Sequence, residues 1–131
     1  FIPKPHTPFQ WEGFDFERMK KDVRFLKSEL RRSKLKIGSP RMALIQYVLS
    51  MGTSKLGVYL EKSLEKKVPL REWQKLTPSW DLEDKLPWDN ISVGVNREYL
   101  KNEHLKAIKG DLTPWCETFG CYQCGACDKE I

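Results

Sequence analysis

The sequence lacks most of the motifs that mark an independent active site. It has no glycine-rich phosphate loop, no G-x-S-x-G or H-E-x-x-H motif, and no pair of carboxylates at a catalytic spacing. Histidine occurs only twice, and no cysteine precedes Cys116. We therefore predict no catalytic residue in this chain.

The sequence also lacks a signal-peptide pattern and any apolar run long enough to cross a membrane. Its composition is rich in lysine, as in cytoplasmic proteins, where disulfides are rare. We expect a cytoplasmic location and no membrane partner. Because the chain begins at Phe1 rather than at a methionine, we interpret it as a fragment of a longer protein.

What the sequence does contain is a cluster of cysteines near its end, with the spacing C-x4-C-x2-C-x2-C. The cluster consists of Cys116, Cys121, Cys124 and Cys127. Small residues between them permit the tight turns that bring four thiolates to one metal. Two disulfides, which suit small secreted chains better than this one, and free thiols are the alternatives.

The spacing does not decide between a zinc ion and an iron-sulfur cluster, because both accept four cysteine sulfurs. The loop contains no histidine and no fifth ligand candidate. A structural role therefore fits better than catalysis at the metal, and we favour zinc slightly over [4Fe-4S].

The length of 131 residues, with 40% hydrophobic residues and five tryptophans, predicts one modest core. Apolar residues recur mainly at helical spacing. We predict a mainly α fold: an extended segment or sheet edge over 1–12, a helical domain over 13–110, and a cysteine-rich metal-binding loop over 111–131. No internal repeat or low-complexity segment is present.

Capping residues predict where the helices begin and end. Asp15 begins a helix running to about Arg32, Ser39-Pro40 begins one ending at Gly52, and Asn96 begins one ending at Gly110. Two shorter helices are expected after Ser54 and Pro69. Two apolar stripes should face the core: Met19, Val23, Leu26 and Leu30 in the first helix, and Met42, Ile45, Val48 and Leu49 in the second.

Most of the positive charge lies between Arg18 and Lys36, where nine basic residues face two acidic ones. Such a stretch can neutralise the phosphates of RNA, with Arg24, Arg31 and Arg32 as candidate contacts. The same residues also occupy the polar face opposite the first apolar stripe, so we favour a solvated helix face, which does not exclude contact with RNA.

Three further polar residues are candidates for a role. His6, among prolines, either faces a substrate cavity in a larger protein or is a surface or packing residue. His104 either approaches the cysteine loop as an outer hydrogen-bond partner or occupies a solvated helix position. Asp89 is explained by a local turn or cap.

Two stretches resemble a known family of enzymes. Phe1-Ile-Pro-Lys-Pro-His-Thr-Pro-Phe-Gln-Trp11 resembles the segment that closes the partial barrel of radical SAM proteins carrying an N-terminal cobalamin-binding-like domain. Leu86-Pro-Trp-Asp-Asn-Ile-Ser-Val-Gly-Val95, Tyr99-Leu100 and the Thr113–Cys127 loop resemble the C-terminal region of one uncharacterised group of them. The middle departs from the pattern, since Met51-Gly-Thr-Ser-Lys55 replaces an Arg-Gly-Asp-Arg-Arg-like run.

The resemblance implies that the chain is the C-terminal accessory part of a radical SAM oxidoreductase, with residues 1–12 ending the barrel. The parent would bind S-adenosylmethionine and a [4Fe-4S] cluster and modify RNA or another macromolecule, and the rest of the parent would be the partner of this fragment. The C-x3-C-x2-C motif for that cluster is absent here. A stand-alone zinc-binding RNA or protein interaction module and an iron-sulfur electron-relay domain are the alternatives.

Overall fold

The structure is a computed structural model that describes residues 1–127, except for the side chain of Phe119. It is helical, as predicted, and residues 1–127 contain no strand. The last four residues of the predicted cysteine-rich region, 128–131, lie outside the described residues. The helices are α1 (Phe16–Glu29), α2 (Pro40–Met51), α3 (Leu56–Glu65), α4 (Leu70–Gln74), α5 (Arg97–Lys109) and α6 (Cys116–Phe119).

The capping residues place the helix ends close to where the sequence predicts them. The Asp15 side chain accepts a hydrogen bond from the amide of Arg18 at 2.9 Å, which satisfies a donor that the first turn of α1 leaves unpaired. Pro40 begins α2 and Gly52 follows its last residue. Gly110 ends α5 with a left-handed φ of 78°, a conformation that glycine adopts without a steric penalty.

The N-terminal segment forms turns rather than the sheet edge that was one of its two predicted forms. The carbonyl of Thr7 accepts from the amide of Gln10, and the carbonyl of Phe9 from that of Glu12. The buried Gln10 side chain accepts at Oε1 from the Trp88 indole at 2.7 Å and from the His6 amide at 3.0 Å. Prolines prevent a helix here, and buried side chains fix the turns.

The core lies between α2, the N-terminal segment and α5. Its buried apolar members are Trp11, Leu44, Tyr47, Val48, Met51, Val68, Trp73, Leu86, Trp88 and Leu100. The Tyr47 hydroxyl lies 3.2 Å from the carbonyl oxygens of both Glu12 and Pro78, so it joins the N-terminal segment to the loop after α4. Burial, with a smaller contribution from Glu12, raises the pKa of Tyr47 to about 12.

The predicted core-facing stripe of α1 is wrong, because this helix has no buried residue. Leu26 and Leu30 are 42% and 40% exposed, and Met19 and Val23 are half-buried. The core is small and filled by α2, α4, α5 and the loops, so α1 packs at its rim. An apolar stripe indicates which face of a helix meets the protein, but not how deeply it is buried.

The predicted stripe of α2 is also displaced. The buried residues are Leu44, Tyr47, Val48 and Met51, while Met42 and Leu49 are 60% and 48% exposed. Apolar residues occur on nearly every side of this helix, so periodicity does not identify its inner face. No helix in residues 1–127 is long and apolar enough to span a bilayer.

Candidate metal centre

Helix α5 presents two faces to two different parts of the chain. On one face, Leu100 is buried in the core and the His104 ring lies 5.7 Å from the ring of Trp11. On the other face, side chains of Tyr99, Glu103 and Lys106 face the cysteine loop. An α-helix has about 3.6 residues per turn, so consecutive residues such as Tyr99 and Leu100 point in directions roughly 100° apart and contact different parts of the chain.

The chain reverses direction at the end of α5 and returns along the second face. The amide of Asp111 donates to the carbonyl of Lys106 at 2.9 Å, completing the turn at Gly110. The Thr113 hydroxyl then lies 2.7 and 2.8 Å from the two carboxylate oxygens of Glu103, and the Lys106 ammonium lies 2.9 Å from Glu103. We call these three side chains, Glu103, Lys106 and Thr113, the polar clamp.

The charges of the polar clamp stabilise one another. Partial burial by itself would raise the pKa of Glu103, but the hydrogen bonds from Lys106 and Thr113 outweigh it and lower that pKa. The bond to Glu103 raises the pKa of Lys106. The Lys106 ammonium also lies 5.6 Å from the centre of the Tyr122 ring, so the same side chain contacts the cysteine loop.

The segment from Cys121 to Gly125 forms a tight turn around its first sulfur. The amide of Gln123 donates to Cys121 Sγ at 3.3 Å, with a positive φ of 52° at Gln123 and 86° at Gly125. The hydrogen bond fixes the backbone of the turn relative to the sulfur of Cys121, and cysteine binds metals through that sulfur. We call residues 121–125 the knuckle.

The knuckle is fixed to the residues that precede α5. The amide of Asn96 donates to the carbonyl of Cys124 at 2.6 Å, and the Asn96 side-chain amide donates to the carbonyl of Gln123 at 2.6 Å. A Cβ at Gly125 would lie 2.7 Å from the carbonyl oxygen of Gly94, so the two backbones approach too closely for a larger residue. We call residues 94–96 the cradle.

Cys116 and Cys124 both lie close enough to the Tyr99 phenol to affect its pKa. Burial, Glu103 and the thiolate charges of Cys124 and Cys116 raise the pKa of Tyr99, whereas Lys106 lowers it. Two cysteines eight positions apart therefore both act on one phenol. Residues between them, the short α6 and Gly120 with its φ of 94°, turn the chain to make this possible.

The cysteines of the described region are free thiols without disulfides, so the structure does not show the disulfide alternative. Cys124 is half-buried, and Cys116, Cys121 and Cys127 are exposed. Within residues 1–127, no three or more histidine, cysteine or acidic side chains converge in a metal-binding arrangement. The loop thus contains one hydrogen-bonded turn, the knuckle, but its cysteine side chains are not gathered into a metal-binding arrangement.

The candidate RNA contacts lie far from this loop in sequence and are exposed. Arg24 is on α1, and its Nε donates to the carbonyl of Lys20 at 3.3 Å, whereas Arg31 and Arg32 follow the end of α1. None of the three forms an ion pair with an acidic side chain of the described region. The solvated-face interpretation and the RNA hypothesis both fit this placement.

His104 occupies neither of the positions that the sequence suggested. It is 4% exposed, packs edge-on against Phe9 and Trp11, and its Nε2 lies 3.6 Å from a carboxylate oxygen of Glu12. The solvated position is therefore wrong, because the N-terminal segment covers this face of α5. The side chain points towards the N-terminal segment and not towards the loop, so it is no hydrogen-bond partner of the cysteines.

The other two polar candidates have structural environments. His6 adopts a positive φ of 54° in the N-terminal turns, where its amide is bound to Gln10. Asp89 accepts from the amide of Leu86 at 2.8 Å and forms an ion pair with Arg97, which accounts for it as a local cap, as predicted.

Sequence reasoning missed the residues that hold the loop. Asn96 was assigned only as a helix cap, and Tyr99, Glu103, Lys106 and Thr113 carry no motif. One signal was available in the sequence. Asn96, Tyr99, Glu103 and Lys106 recur at helical spacing, and the aromatic Tyr99 among polar residues indicates a face that contacts another segment as well as solvent.

The chain matches no protein-family model, no curated protein and no solved structure. The candidate centre is therefore defined by its own residues: a knuckle, a cradle, a polar clamp and two further cysteines.

Proposed function

We propose that this chain is an accessory module that binds a structural metal through Cys116, Cys121, Cys124 and Cys127. The observation that carries the proposal is the knuckle, in which a backbone amide is directed at Cys121 Sγ while hydrogen bonds from Asn96 hold the turn in place. A loop of this exposure buries too little apolar surface to be ordered by hydrophobic packing. A metal would supply the missing constraint.

The donor set fits a group that prefers sulfur. Four thiolates suit tetrahedral zinc or a [4Fe-4S] cluster, whereas magnesium and calcium prefer oxygen ligands. Backbone donation to sulfur and the nearby Lys106 offset part of the negative charge that four thiolates bring together. Because the loop contains no histidine and no fifth ligand candidate, a structural zinc ion is the first assignment.

The measurement that tests this is elemental analysis with an absorption spectrum of the anaerobically purified chain. One zinc per chain without visible absorbance supports the structural site. About four irons per chain with a broad visible band would instead assign an electron-relay cluster. Metal content far below one per chain would rule out both.

Two variants control that measurement. The double substitution of Cys121→Ser and Cys124→Ser should remove the metal, because it removes both ligands of the knuckle. Tyr122→Phe changes a residue between them but keeps the ring beside Lys106, so it should retain full stoichiometry.

The larger context of the module is proposed from the sequence resemblance. A C-terminal accessory part of a radical SAM enzyme would connect to its barrel through the Phe1–Trp11 segment, and this segment packs on α5 next to Trp88 and His104. In the source cells, mass spectrometry should find these residues in one polypeptide with a C-x3-C-x2-C segment. Detection only in a polypeptide of about 15 kDa would contradict the context.

A second candidate function is RNA binding through the exposed Arg24, Arg31 and Arg32. Fluorescence polarisation with labelled single-stranded RNA should show binding that weakens with salt and is lost when the three are changed to Glu. Charge reversal at the equally exposed Lys66, Lys67 and Lys85 is the matched control. If both variants lost RNA affinity equally, the effect would come from net charge and not from these three arginines.

A further inference from the structure

Asn96 stands at the N-cap of α5 but does not cap it. Its side chain makes no hydrogen bond to the first turn of the helix, although asparagine is among the best residues for that role. Instead the side-chain amide donates to the carbonyl of Gln123 at 2.6 Å, and the backbone amide donates to the carbonyl of Cys124 at 2.6 Å. Both hydrogen bonds that Asn96 donates to the loop thus end on the knuckle.

Gly94 completes this contact from the other side. A Cβ at position 125 would lie 2.7 Å from the carbonyl oxygen of Gly94 and 3.1 Å from Oδ1 of Asn96. Glycine at both 94 and 125, each with a positive φ, allows the backbones to meet. The cradle therefore fixes the peptide units on both sides of Cys124.

We propose that the cradle is the positioning element of the metal site, and that Cys121 and Cys124 form a preordered half-site that receives the metal before Cys116 and Cys127. This inference rests on the proposed metal-binding function. Two ligands held by the fold spare the metal the entropic cost of ordering their turn. Neither of the Asn96 hydrogen bonds to the loop reaches the remaining two cysteines, which close the site after the metal has arrived.

In this arrangement Asn96 positions the two cysteines of the knuckle without binding the metal itself. Outer partners of this kind typically change metal affinity by roughly 10–100-fold when they are removed. A purely structural role for Asn96 would instead change the stability of α5, and the two roles are separable because Asn96 forms no capping bond in the structure.

The test is anaerobic titration of the full chain with Co²⁺, followed by displacement with Zn²⁺, in the wild type and in variants at position 96. Asn96→Ala should weaken Co²⁺ binding by roughly 10–100-fold, with an unchanged thiolate-to-cobalt spectrum at saturation. Asn96→Asp keeps a strong N-cap residue but replaces the amide donor with a carboxylate facing the Gln123 carbonyl. It should keep or raise the melting temperature while weakening Co²⁺ binding.

The matched control is Asn102→Ala, an exposed asparagine in the middle of the same helix, which should bind Co²⁺ as the wild type does. The order of binding is tested by two double variants. The double variant Cys116→Ser with Cys127→Ser should leave weak binding with a two-thiolate spectrum, whereas Cys121→Ser with Cys124→Ser should abolish binding.

The outcomes separate this inference from the function on which it rests. A wild-type chain without a thiolate-to-cobalt band overturns the metal site itself and the cradle with it. A wild type that binds, with Asn96→Ala and Asn96→Asp binding equally well, overturns the cradle alone. Equal residual binding by the two double variants overturns the preordered half-site.

Discussion

The two faces of α5 make different kinds of contact: one packs into the apolar core, and the other contacts the cysteine loop through polar groups. On the core face, Leu100 and His104 are 6% and 4% exposed and pack against the aromatic N-terminal segment. On the loop face, three of the four cysteines are exposed, and the contacts are the polar clamp and the hydrogen bonds of the cradle. One helix thus joins an apolar core to a polar, thinly covered loop.

This difference between the two faces indicates which part of the chain depends on a bound metal for its stability. Burial of apolar surface is worth about 25 cal/mol per Å² and requires no cofactor, so the core face is stable by itself. Exposed hydrogen bonds and ion pairs contribute little each, so the loop face gains most from a metal. Loss of metal should therefore raise amide exchange around Cys116 and Cys127 more than in the knuckle, which the cradle holds, and leave the core unchanged.

The largest effect should follow from truncation on the core face. Leu100→Ala removes a buried side chain and leaves a cavity, which should lower the free energy of unfolding by about 2–5 kcal/mol. Leu105→Ala, on the same helix at 43% exposure, is the control and should cost far less. Chemical denaturation measures both, and equal losses would contradict the assignment of the two faces.

The next effect concerns pH and Tyr47, on the core side of the molecule. Its pKa is raised from 10.0 to about 12 in the folded chain, so its contribution is fully present below pH 10 and is lost as pH rises towards 12. The free energy of unfolding should fall by roughly 2–3 kcal/mol as this contribution is lost. It is measured as the difference between wild type and Tyr47→Phe, and a difference that stays constant from pH 9 to 12 would contradict it.

A similar or smaller effect is expected at Gln10. Gln10→Met keeps the volume but leaves the Trp88 indole and the His6 amide without their acceptor, which should cost about 1–3 kcal/mol. Gln46→Met, at an exposed position of α2, should be nearly neutral. Thermal unfolding compares the two, and an unaffected Gln10→Met chain would show that water replaces the acceptor.

The smallest effect is expected on the loop face. Thr113→Val removes the hydroxyl from the polar clamp, and because Lys106 is 38% exposed the clamp should contribute about 1 kcal/mol or less to global stability. Hydrogen exchange should nevertheless rise in residues 111–127. If the melting temperature fell as far as in Leu100→Ala, the two faces would not be independent.

Local sequence signals predicted the frame of this fold well and its packing poorly. Asp15, Pro40, Gly52 and Gly110 mark helix ends because caps and turns depend on backbone conformation and on neighbours a few residues away. The inner face of α2 and the depth of α1 depend on which elements compete for a small core, and no local pattern encodes that competition.

His104 and Asn96 show the same division at the candidate site. A histidine on a polar helix gives no sign that Phe9 and Trp11, nearly a hundred positions earlier, will cover it. An asparagine before a helix indicates a cap, and only the return of the chain beside α5 offers its side chain another acceptor. Contacts between distant segments decide both roles.

The sequence by itself determined the helical class, the helix ends and the four thiols at ligand spacing, because these follow from periodicity, capping and short-range order. Only the tertiary structure decided that α5 separates a buried core from the cysteine loop, and that the Gly94–Asn96 cradle holds the knuckle. Those arrangements arise from long-range packing, in which the chain turns at Gly110 and docks its cysteines on the face that the core leaves uncovered.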